Sequence, residues 1–435
     1  MPLRALILVL SVLISLPICI VRPFYGILVW SIFSFLRPQA FVWQSNYLFP
    51  LATAVALATM IGFLVFCRGW AQRLASSEVV LLGVLWVWFT LTSVVSSNTP
   101  LFMHHAAATW EHLQFVSKVL LMTLLTIAVV DSFARLRILV IVTAGCFGAF
   151  VLKALPFMIL TGGSFRLYGP ENSMIADNND FGLALNMSLP LFFFLAMAES
   201  NRWLRWLFGI LFLGTIPAIF FTYSRGALVG LVAVLLLMFL QLKQRLVLGP
   251  VIAIGVLIAI LLAPAAWRER MDPTSRDAVD ASARSRLNSW TYSWNLAKDY
   301  PVAGAGFDAF TPELFSRYAP NPEDVHGPHS IYFGVLAEHG FVGLILYLSL
   351  VCSCFISTRR VVKQAQAQGN QVLVHYANMF RFGIVGFLVC GMFLGRAYFD
   401  YFFAIVAFIA ILKRVWTVEF AGGFSLEPAE EEQVA

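Results

Sequence analysis

The sequence predicts an all-α protein that crosses a membrane about twelve times and carries one large, mainly helical polar loop. Apolar runs of about 18 to 25 residues recur from end to end, and a helix of that length crosses a hydrocarbon core of about 30 Å. Of the 435 residues, 60% are hydrophobic and 12% are charged, whereas a soluble domain carries about 25% charged residues. The composition therefore excludes an ordinary soluble enzyme.

Eleven spans are predicted after the first 43 residues, near 48–66, 79–97, 112–130, 136–160, 181–198, 203–221, 226–241, 246–264, 329–356, 375–394 and 398–414. The first 43 residues are ambiguous, because Pro17, Arg22-Pro23 and Arg37-Pro38 interrupt their apolar pattern. They form either two spans or one broken traverse. The start resembles a signal peptide, but a second apolar run follows at once and no small-residue cleavage site stands out, which indicates a retained span.

Short groups of basic residues set the orientation, because lysine and arginine accumulate in cytoplasmic loops. These groups fall in alternate loops, at Arg68 and Arg73, Arg135 and Arg137, Arg202 and Arg205, Lys243 and Arg245, Arg359 to Lys363, and Lys413-Arg414. If both termini are cytoplasmic, the number of spans is even, which favours twelve. The opposite side then carries the loops 98–111, 162–180, 222–225, 265–328 and 395–398.

The chain divides into four predicted regions. Residues 1–264 form a transmembrane region of about ten spans, and residues 265–328 form the large polar loop, or cap, on the non-cytoplasmic side. Residues 329–416 return to the membrane, and the acidic tail 417–435 is predicted to be a disordered cytoplasmic segment.

Charge and cysteine usage exclude several classes of function. The net charge is +6, but the basic residues are scattered in short groups, which fits membrane orientation and predicts no nucleic-acid partner. All six cysteines lie in apolar spans, so neither a disulfide framework nor a CxxC metal site is predicted. The nearest candidate for a metal site is Glu171, Asp177 and Asp180, but helix capping accounts better for Asp180. We therefore predict no metal and no cofactor.

A histidine-bearing loop runs into an apolar span in the stretch VHGPHSIYFGVLAEHGFVG, residues 325–343. His329 stands at the lip of this span, where an imidazole that titrates near neutrality can take a proton from a hydroxyl. His326 is the rival base, and a loop histidine without a role is the plain alternative. We favour His329 because Ser330 after it suits a helix start. His339 is interpreted as a packing residue.

Four arginines lie on the same predicted side of the membrane, where arginine in short loops is disfavoured. Arg225 follows Ser224 in FTYSRGALVG, Arg286 lies in the cap, and Arg166 and Arg396 lie in the two remaining loops. The structural alternative is a snorkelling or ion-paired side chain, such as Arg396 with Asp400. A guanidinium matches phosphate oxygens bidentately, so the group is suited to a lipid-linked diphosphate.

Aromatic and glycine residues of the cap have two interpretations each. Tyr318, Trp290, Tyr292 and Trp294 would either stack on sugar rings or pack within the cap. The glycines of PVAGAGFDAF, at positions 304 and 306, indicate a turn, because no strand and following helix accompany them as a nucleotide site requires.

Six stretches carry a family resemblance in a fixed order, namely RLYG, DNNDFGLALNMSLP, FTYSRGALVG, RLNSW, PVAGAGFDAF and HSIYFGVLAEHGFVG. With these motifs, which cover roughly residues 160 to 350, the chain resembles the O-antigen ligase family within the ligase and polymerase superfamily. The residues of these motifs are also similar to those of a subgroup from exosortase-associated gene neighbourhoods, whose members are described as O-glycosylation ligases. The N-terminal third matches only in hydropathy.

The resemblance implies a metal-independent glycosyltransferase that resembles the GT-C class, in the inner membrane of a Gram-negative bacterium. Its multi-pass fold would place the active site at the periplasm, the donor would be a glycan on undecaprenyl diphosphate, and the acceptor would be a sugar hydroxyl of lipid A-core. His329 matches the essential histidine of the family and would be the general base. Arg225 and Arg286 match its diphosphate-binding arginines. The same face holds further donor-binding and supporting candidates, namely Arg166, Arg396, Ser224, Glu338, His326, Asp180 and Tyr318.

Glu338 matches the second half of the histidine motif, but its geometry favours a structural role. Nine residues at about 100° each would place it opposite His329 on a continuous helix. We therefore expect Glu338 to bond a neighbouring helix, unless His329 lies in the loop before that helix.

Three functions remain open from the sequence. The first is the ligase, and the second is a polymerase or protein O-glycosylation ligase that uses the same donor. The third is a transporter of a lipid-linked glycan. Transporters typically carry charges at the bilayer midplane, so the clustering of charges at one face argues against the third. The oligomeric state is open, and a monomer is compatible with the sequence.

Overall fold

The computed structural model describes residues 3–41, 50–241, 249–250, 253–255, 257, 261, 264–271 and 276–420. Within these residues the chain forms helices and loops, with no strand, which confirms the all-α prediction. The helices, in chain order, are α1 (Leu3–Val21), α2 (Pro23–Ser31), α3 (Pro50–Phe66), α4 (Trp70–Arg73), α5 (Ser77–Ser97), α6 (Ala106–Val129), α7 (Phe133–Leu160), α8 (Asn178–Ala198), α9 (Arg202–Phe220), α10 (Arg225–Gln241), α11 (Ala265–Met271), α12 (Arg276–Asp299), α13 (Pro312–Tyr318), α14 (Ile331–Ala367), α15 (Gln371–Gly391) and α16 (Asp400–Val415).

Nine helices of the described part are long and apolar enough to cross a membrane. Three further apolar helices are shorter, namely Pro23–Leu36, Leu51–Phe66 and Arg225–Leu240. The predicted span 246–264 and the tail lie largely outside the described residues. The multi-pass architecture is thus confirmed, and the exact number of spans stays a prediction.

The N-terminal region forms two helices that are broken at Arg22, so it is not a single interrupted traverse. Helix α1 runs parallel to α3, because Ala5 packs beside Leu51 near the starts of the two helices and Gly62 lies against the carbonyl of Ile20 near their ends. Helix α1 therefore starts at the end of the bundle opposite Arg68, the predicted cytoplasmic loop. The proline after Arg22 starts a second helix. The even number of spans, which holds if both termini are cytoplasmic, stays a prediction.

Ion pairs lie at the end of the bundle that carries the basic loops, which we call the basic face. Arg73 and Arg135 both pair with Asp131, at 3.6 Å and 2.8 Å. Lys413, near the end of α16, pairs with Glu78 at the start of α5 at 3.2 Å. These helix ends meet, as the alternation of basic loops predicted.

The cap, residues 265–328, lies at the opposite end, which we call the cap face. In its described part it has a small core of its own, in which Tyr292 of α12 stacks on Phe315 of α13 at 4.3 Å between ring centroids. Phe102 from the loop before α6 joins this core. The His105 imidazole contacts the carbonyl of Ala305. The His112 imidazole, in the first turns of α6, contacts the carboxylate of Asp308. The two histidines therefore anchor the cap.

Helix α14 is broken at Gly340, where φ is 68°. The turn formed by Pro301 to Gly306 docks on this break, and backbone hydrogen bonds join Ala305 to Ala337 at 2.9 Å and Phe341 to Pro301 at 2.8 Å. Gly304 and Gly306 also have positive φ, which confirms that the glycines serve a turn. The break ties the cap to the helix that follows His329.

Substituting Gly340 with alanine is expected to destabilise the protein by about 1–3 kcal/mol, because a non-glycine residue at that φ is strained. The new Cβ would also overlap the carbonyl oxygen of Val302. The apparent Tm of the purified protein should fall. Gly83→Ala is the matched control, since a Cβ at Gly83 meets no atom within 4 Å. Equal Tm values for the two variants would contradict the proposed role of the break.

Candidate active site

His329 lies in the loop immediately before α14, which begins at Ile331. Its φ of 44° is in the left-handed region, where histidine is tolerated better than most side chains. The ring of the preceding Pro328 packs against Gly395 of the loop before α16. The imidazole is therefore fixed between two loops of the cap face, and it does not lie on the continuous helix that the sequence argument considered.

Helix α12 brings the cap to this loop. The Asn288 side-chain amide donates to the carbonyls of Asn321 at 2.8 Å and Asp324 at 3.1 Å. Two residues further along, Trp290 stacks on Phe333 in the first turn of α14 at 5.2 Å between ring centroids. Arg286, on the same helix, is thereby placed beside the histidine loop.

Arg225 is the first residue of α10, and its position is set by the preceding turn. The Ser224 hydroxyl oxygen accepts from the Ala227 backbone N–H at 3.2 Å, which caps the helix. The Asn178 amide donates to the carbonyl of Thr222 at 2.7 Å and so holds the turn against α8. Ser224 thus has a structural role that orients Arg225.

His329, Arg286 and Arg225 form one electrostatic group. Burial lowers the pKa of His329, and the charges of Arg286 and His326 lower it further, against the weaker effect of Asp177 and Asp324. Burial and the neighbouring Arg225 also lower the pKa of Arg286. The histidine is consequently neutral near pH 7 and able to accept a proton.

The two arginines of this group have no carboxylate partner among the described residues. The ion pairs of the cap face instead involve Arg396 with Asp180, His326 with Asp324, and histidines of the cap anchor. The Nε atom of Arg286 is buried without a hydrogen-bond partner. Two partly buried guanidinium groups that have no carboxylate partner in this part of the chain could hold an anion.

Arg396 forms an ion pair, but the expected partner was wrong. Its guanidinium donates to the Asp180 carboxylate at 2.5 Å, whereas Asp400 accepts from Ser34 at 2.5 Å. Asp180 is therefore not a helix cap either, because α8 begins at Asn178 and Asp177 caps it by accepting from the Asn179 N–H at 2.8 Å. The described residues contain no cluster of three His, Cys, Asp or Glu side chains that could hold a metal.

Glu338 is buried and bonds neighbouring segments, as the helix geometry suggested. The Tyr398 hydroxyl donates to one carboxylate oxygen at 2.6 Å, and the Asp308 N–H donates to the other at 3.2 Å. His339 packs against Phe89 and shares a hydrogen bond of 2.7 Å with Thr92. Both residues join α14 to its neighbours.

The cap aromatics and His326 divide between packing and exposure. Tyr292 is fully buried and Tyr318 is 6% exposed, so both rings pack within the cap. Trp294 is 48% exposed and remains open to a ligand. His326 lies close to His329, at 6.1 Å between ring centroids, but its Nδ1 pairs with Asp324 at 2.8 Å.

Arg166 lines a cavity that does not include His329, Arg225 or Arg286. The cavity has a volume of about 660 Å³, and its wall contains two further cations, Arg37 and Lys153. Neither residue was predicted from the sequence to bind the donor. Lys153 carried a signal, because it is a charged residue inside a predicted span.

The fold and the site define a multi-pass, all-α membrane protein with an imidazole and guanidinium groups at the end of the helix bundle that carries the polar cap. Residues 208–348 match the family model of O-antigen ligase. The matched part of the chain contains His329, Arg225 and Arg286. Residues 3–199 match a family of unknown function. No protein with a curated description matches the chain.

The match confirms the resemblance found in the motifs and gives the general function. The protein is a membrane enzyme of the O-antigen ligase or polymerase type, which is a transferase.

Proposed function

We propose that the protein is an O-antigen ligase that transfers a glycan from undecaprenyl diphosphate to a sugar hydroxyl of lipid A-core. The reaction would take place at the periplasmic face of the inner membrane, without metal or cofactor. The observation that carries the proposal is the electrostatic grouping of a neutral imidazole, His329, with Arg286, and of Arg286 with Arg225. Neither arginine forms an ion pair with a carboxylate among the described residues.

In the proposed reaction the His329 imidazole removes the proton from the acceptor hydroxyl. The hydroxyl oxygen then forms a bond to the anomeric carbon of the donor glycan, and the bond from that carbon to the diphosphate oxygen breaks. Attack opposite the leaving group inverts the anomeric carbon. No nucleotide or redox partner is needed, because the glycosyl diphosphate is already activated.

Arg225 and Arg286 would bind the diphosphate both while it is bonded to the glycan and after it has departed. The departing undecaprenyl diphosphate gains negative charge, and two preorganised guanidinium groups in a partly buried site stabilise that charge. Arg166 and Arg396 were also predicted to bind the donor. The pairing with Asp180 supports a positioning role for Arg396, and Arg166 lines a separate cavity.

A polymerase or a protein O-glycosylation ligase would use the same donor chemistry with another acceptor, and Trp294, exposed on the cap, is open to a sugar in each case. The grouping of His329 with arginines at one end of the bundle supports transfer over transport, since a transport path requires charges through the midplane. The acceptor therefore has to be decided by experiment.

Reconstitution of the full chain in nanodiscs with an undecaprenyl-diphosphate glycan and purified lipid A-core is expected to yield glycosylated lipid A-core and free undecaprenyl diphosphate. Activity should persist in EDTA. Parallel reactions offer the donor glycan alone or an acceptor peptide. Product in only one of these would assign a polymerase or a protein ligase. Loss of turnover in EDTA would contradict the metal-free mechanism and return attention to Glu171, Asp177 and Asp180.

A further inference from the structure

The cavity beside Arg166 lies at the cap face, between the end of α7 and the short helix Pro38–Phe41. Its volume is about 660 Å³. Arg37, Lys153 and Arg166 contribute three positive charges to its wall, against one carboxylate from Glu171. The wall is thus electropositive and suited to an anionic group.

The three cations are only partly compensated. The ammonium of Lys153 lies over the Phe41 ring at 5.5 Å, and the Asp400 carboxylate attracts Arg37. Burial raises the pKa of the Tyr223 hydroxyl, and the positive charge of Arg166 lowers it, so these two groups interact. Lys153 and Arg166 form no ion pair with a carboxylate among the described residues. Their charges are therefore available to a ligand.

An apolar crevice adjoins this cavity and shares Arg37 and Gln39 with it. The crevice has a volume of about 270 Å³. Its wall is mainly apolar, with Phe33, Phe115 and Met122, and it also contains Lys118 and Asp400. The crevice extends along α6 and α16 toward the interior of the helix bundle. The cavity lies nearer the cap face, where its wall includes Tyr168 of the loop after α7. A charged compartment next to an apolar one matches a molecule with a polar head and a hydrocarbon chain.

The depth of Lys153 agrees with a lipid head group. It lies seven residues before the end of α7, which is about 10 Å along the helix at 1.5 Å per residue. A lysine at that depth extends its stem along apolar surface and its ammonium toward the interface. Lipid phosphates lie at the same membrane interface. Free phosphate has no hydrocarbon chain that could fill the apolar crevice.

We propose that the Arg37, Lys153 and Arg166 cavity is a second lipid site, which binds the phosphate group of a lipid other than the undecaprenyl-diphosphate donor and holds an acyl chain in the adjoining crevice. The lipid is either the phosphorylated glycolipid acceptor or a phospholipid of the bilayer. The first source rests on the proposed function, whereas the phosphate site itself does not. Leu167 of the cavity wall donates its backbone N–H to the carbonyl of Phe221, four residues before Arg225, at 3.0 Å. The cavity therefore adjoins the turn that carries Arg225 without including Arg225, which suits two lipids that meet without sharing one binding site.

Native mass spectrometry of the full chain in detergent tests the proposal with four probes, namely bis-phosphorylated lipid A, dephosphorylated lipid A, phosphatidylglycerol and undecaprenyl diphosphate. The test variant is the double substitution Lys153→Gln and Arg166→Gln. Both side chains are exposed, so folding should be preserved. Arg37 is left unchanged, because it interacts with the Asp400 carboxylate and its removal would leave that buried charge without its partner. Arg202→Gln with Arg205→Gln removes two exposed charges at the basic face as the matched control.

We expect the test variant to bind phosphorylated lipid A about tenfold or more weakly, since each lost charge-assisted hydrogen bond costs about 1.5–3 kcal/mol. The control should bind as the native protein does. A loss confined to lipid A identifies the acceptor, and an equal loss for phosphatidylglycerol identifies a bilayer lipid.

Three results would overturn the inference. They are equal binding of dephosphorylated and phosphorylated lipid A, unchanged binding by the test variant, and a loss specific to undecaprenyl diphosphate, which would make the cavity part of the donor site. Binding requires no turnover, so these outcomes are independent of the transfer reaction. An inactive protein that still binds lipid as predicted would contradict only the proposed function.

Discussion

Replacing His329 with alanine or asparagine is expected to reduce glycan transfer by about 100- to 10,000-fold, the usual contribution of a general base. Among the described residues no hydrogen bond or ion pair engages the imidazole, so its removal should leave folding and insertion intact. Asparagine is the more informative replacement, because it tolerates the positive φ at this position better than alanine. The measurement is kcat/KM in the reconstituted assay, with apparent Tm as the test of folding.

His326→Ala is the matched control for this substitution. His326 is the other histidine of the loop, but it is half exposed and already paired with Asp324, so its variant should keep most of the activity. Near-normal turnover of the His329 variants would remove His329 from the role of base. Loss of activity in His326→Ala alone would transfer that role to His326.

The pH profile should carry the same signature. A general base acts in its neutral form, so activity falls as the pH drops through its pKa. Burial and Arg286 lower the pKa of His329 below its ordinary value of 6.5. The acid limb of kcat/KM should therefore lie below pH 6.5 and be absent from the residual activity of His329→Asn.

The sequence predicted the parts of this site that local pattern and topology determine. Apolar run length gave the helical membrane fold, and the alternation of basic loops placed Arg225, Arg286 and His329 on one face. The motif order joined them to a family. The structure adds that α12 brings Arg286 to the histidine loop through contacts such as Trp290 with Phe333.

Pairings between distant segments could not be predicted. Asp180 and Arg396 are 216 residues apart in sequence, and local spacing favoured the nearer Asp400. The path of the first 43 residues was left open for a related reason, because it depends on which helices α1 and α2 pack against. The cavity beside Arg166 required Arg37 and Lys153 to meet from different elements, which no single stretch of sequence reveals.

Substituting Arg225 with lysine is expected to lower kcat/KM by about ten- to a hundredfold, although the positive charge is retained. A guanidinium donates two parallel hydrogen bonds to phosphate oxygens, and an ammonium cannot reproduce that geometry. Losing one charge-assisted hydrogen bond costs about 1.5–3 kcal/mol, which corresponds to this range. Arg225→Ala should be worse, and Arg286→Lys should resemble Arg225→Lys because the two groups act on one anion.

Arg202→Lys, at the exposed start of α9 on the basic face, is the matched control and should leave kcat/KM unchanged. Full activity of Arg225→Lys would mean that charge alone suffices and that the diphosphate is not gripped bidentately. Burial lowers the pKa of Arg286, and the charge of Arg225 lowers it further, so the two arginines repel each other in the absence of an anion. Neutralising one should therefore weaken donor binding while relieving that repulsion. Apparent Tm without donor should then stay equal or rise, and the stabilisation that undecaprenyl diphosphate gives the native protein should shrink. A variant that loses both activity and Tm would instead point to Arg225 as a structural residue of the α10 turn.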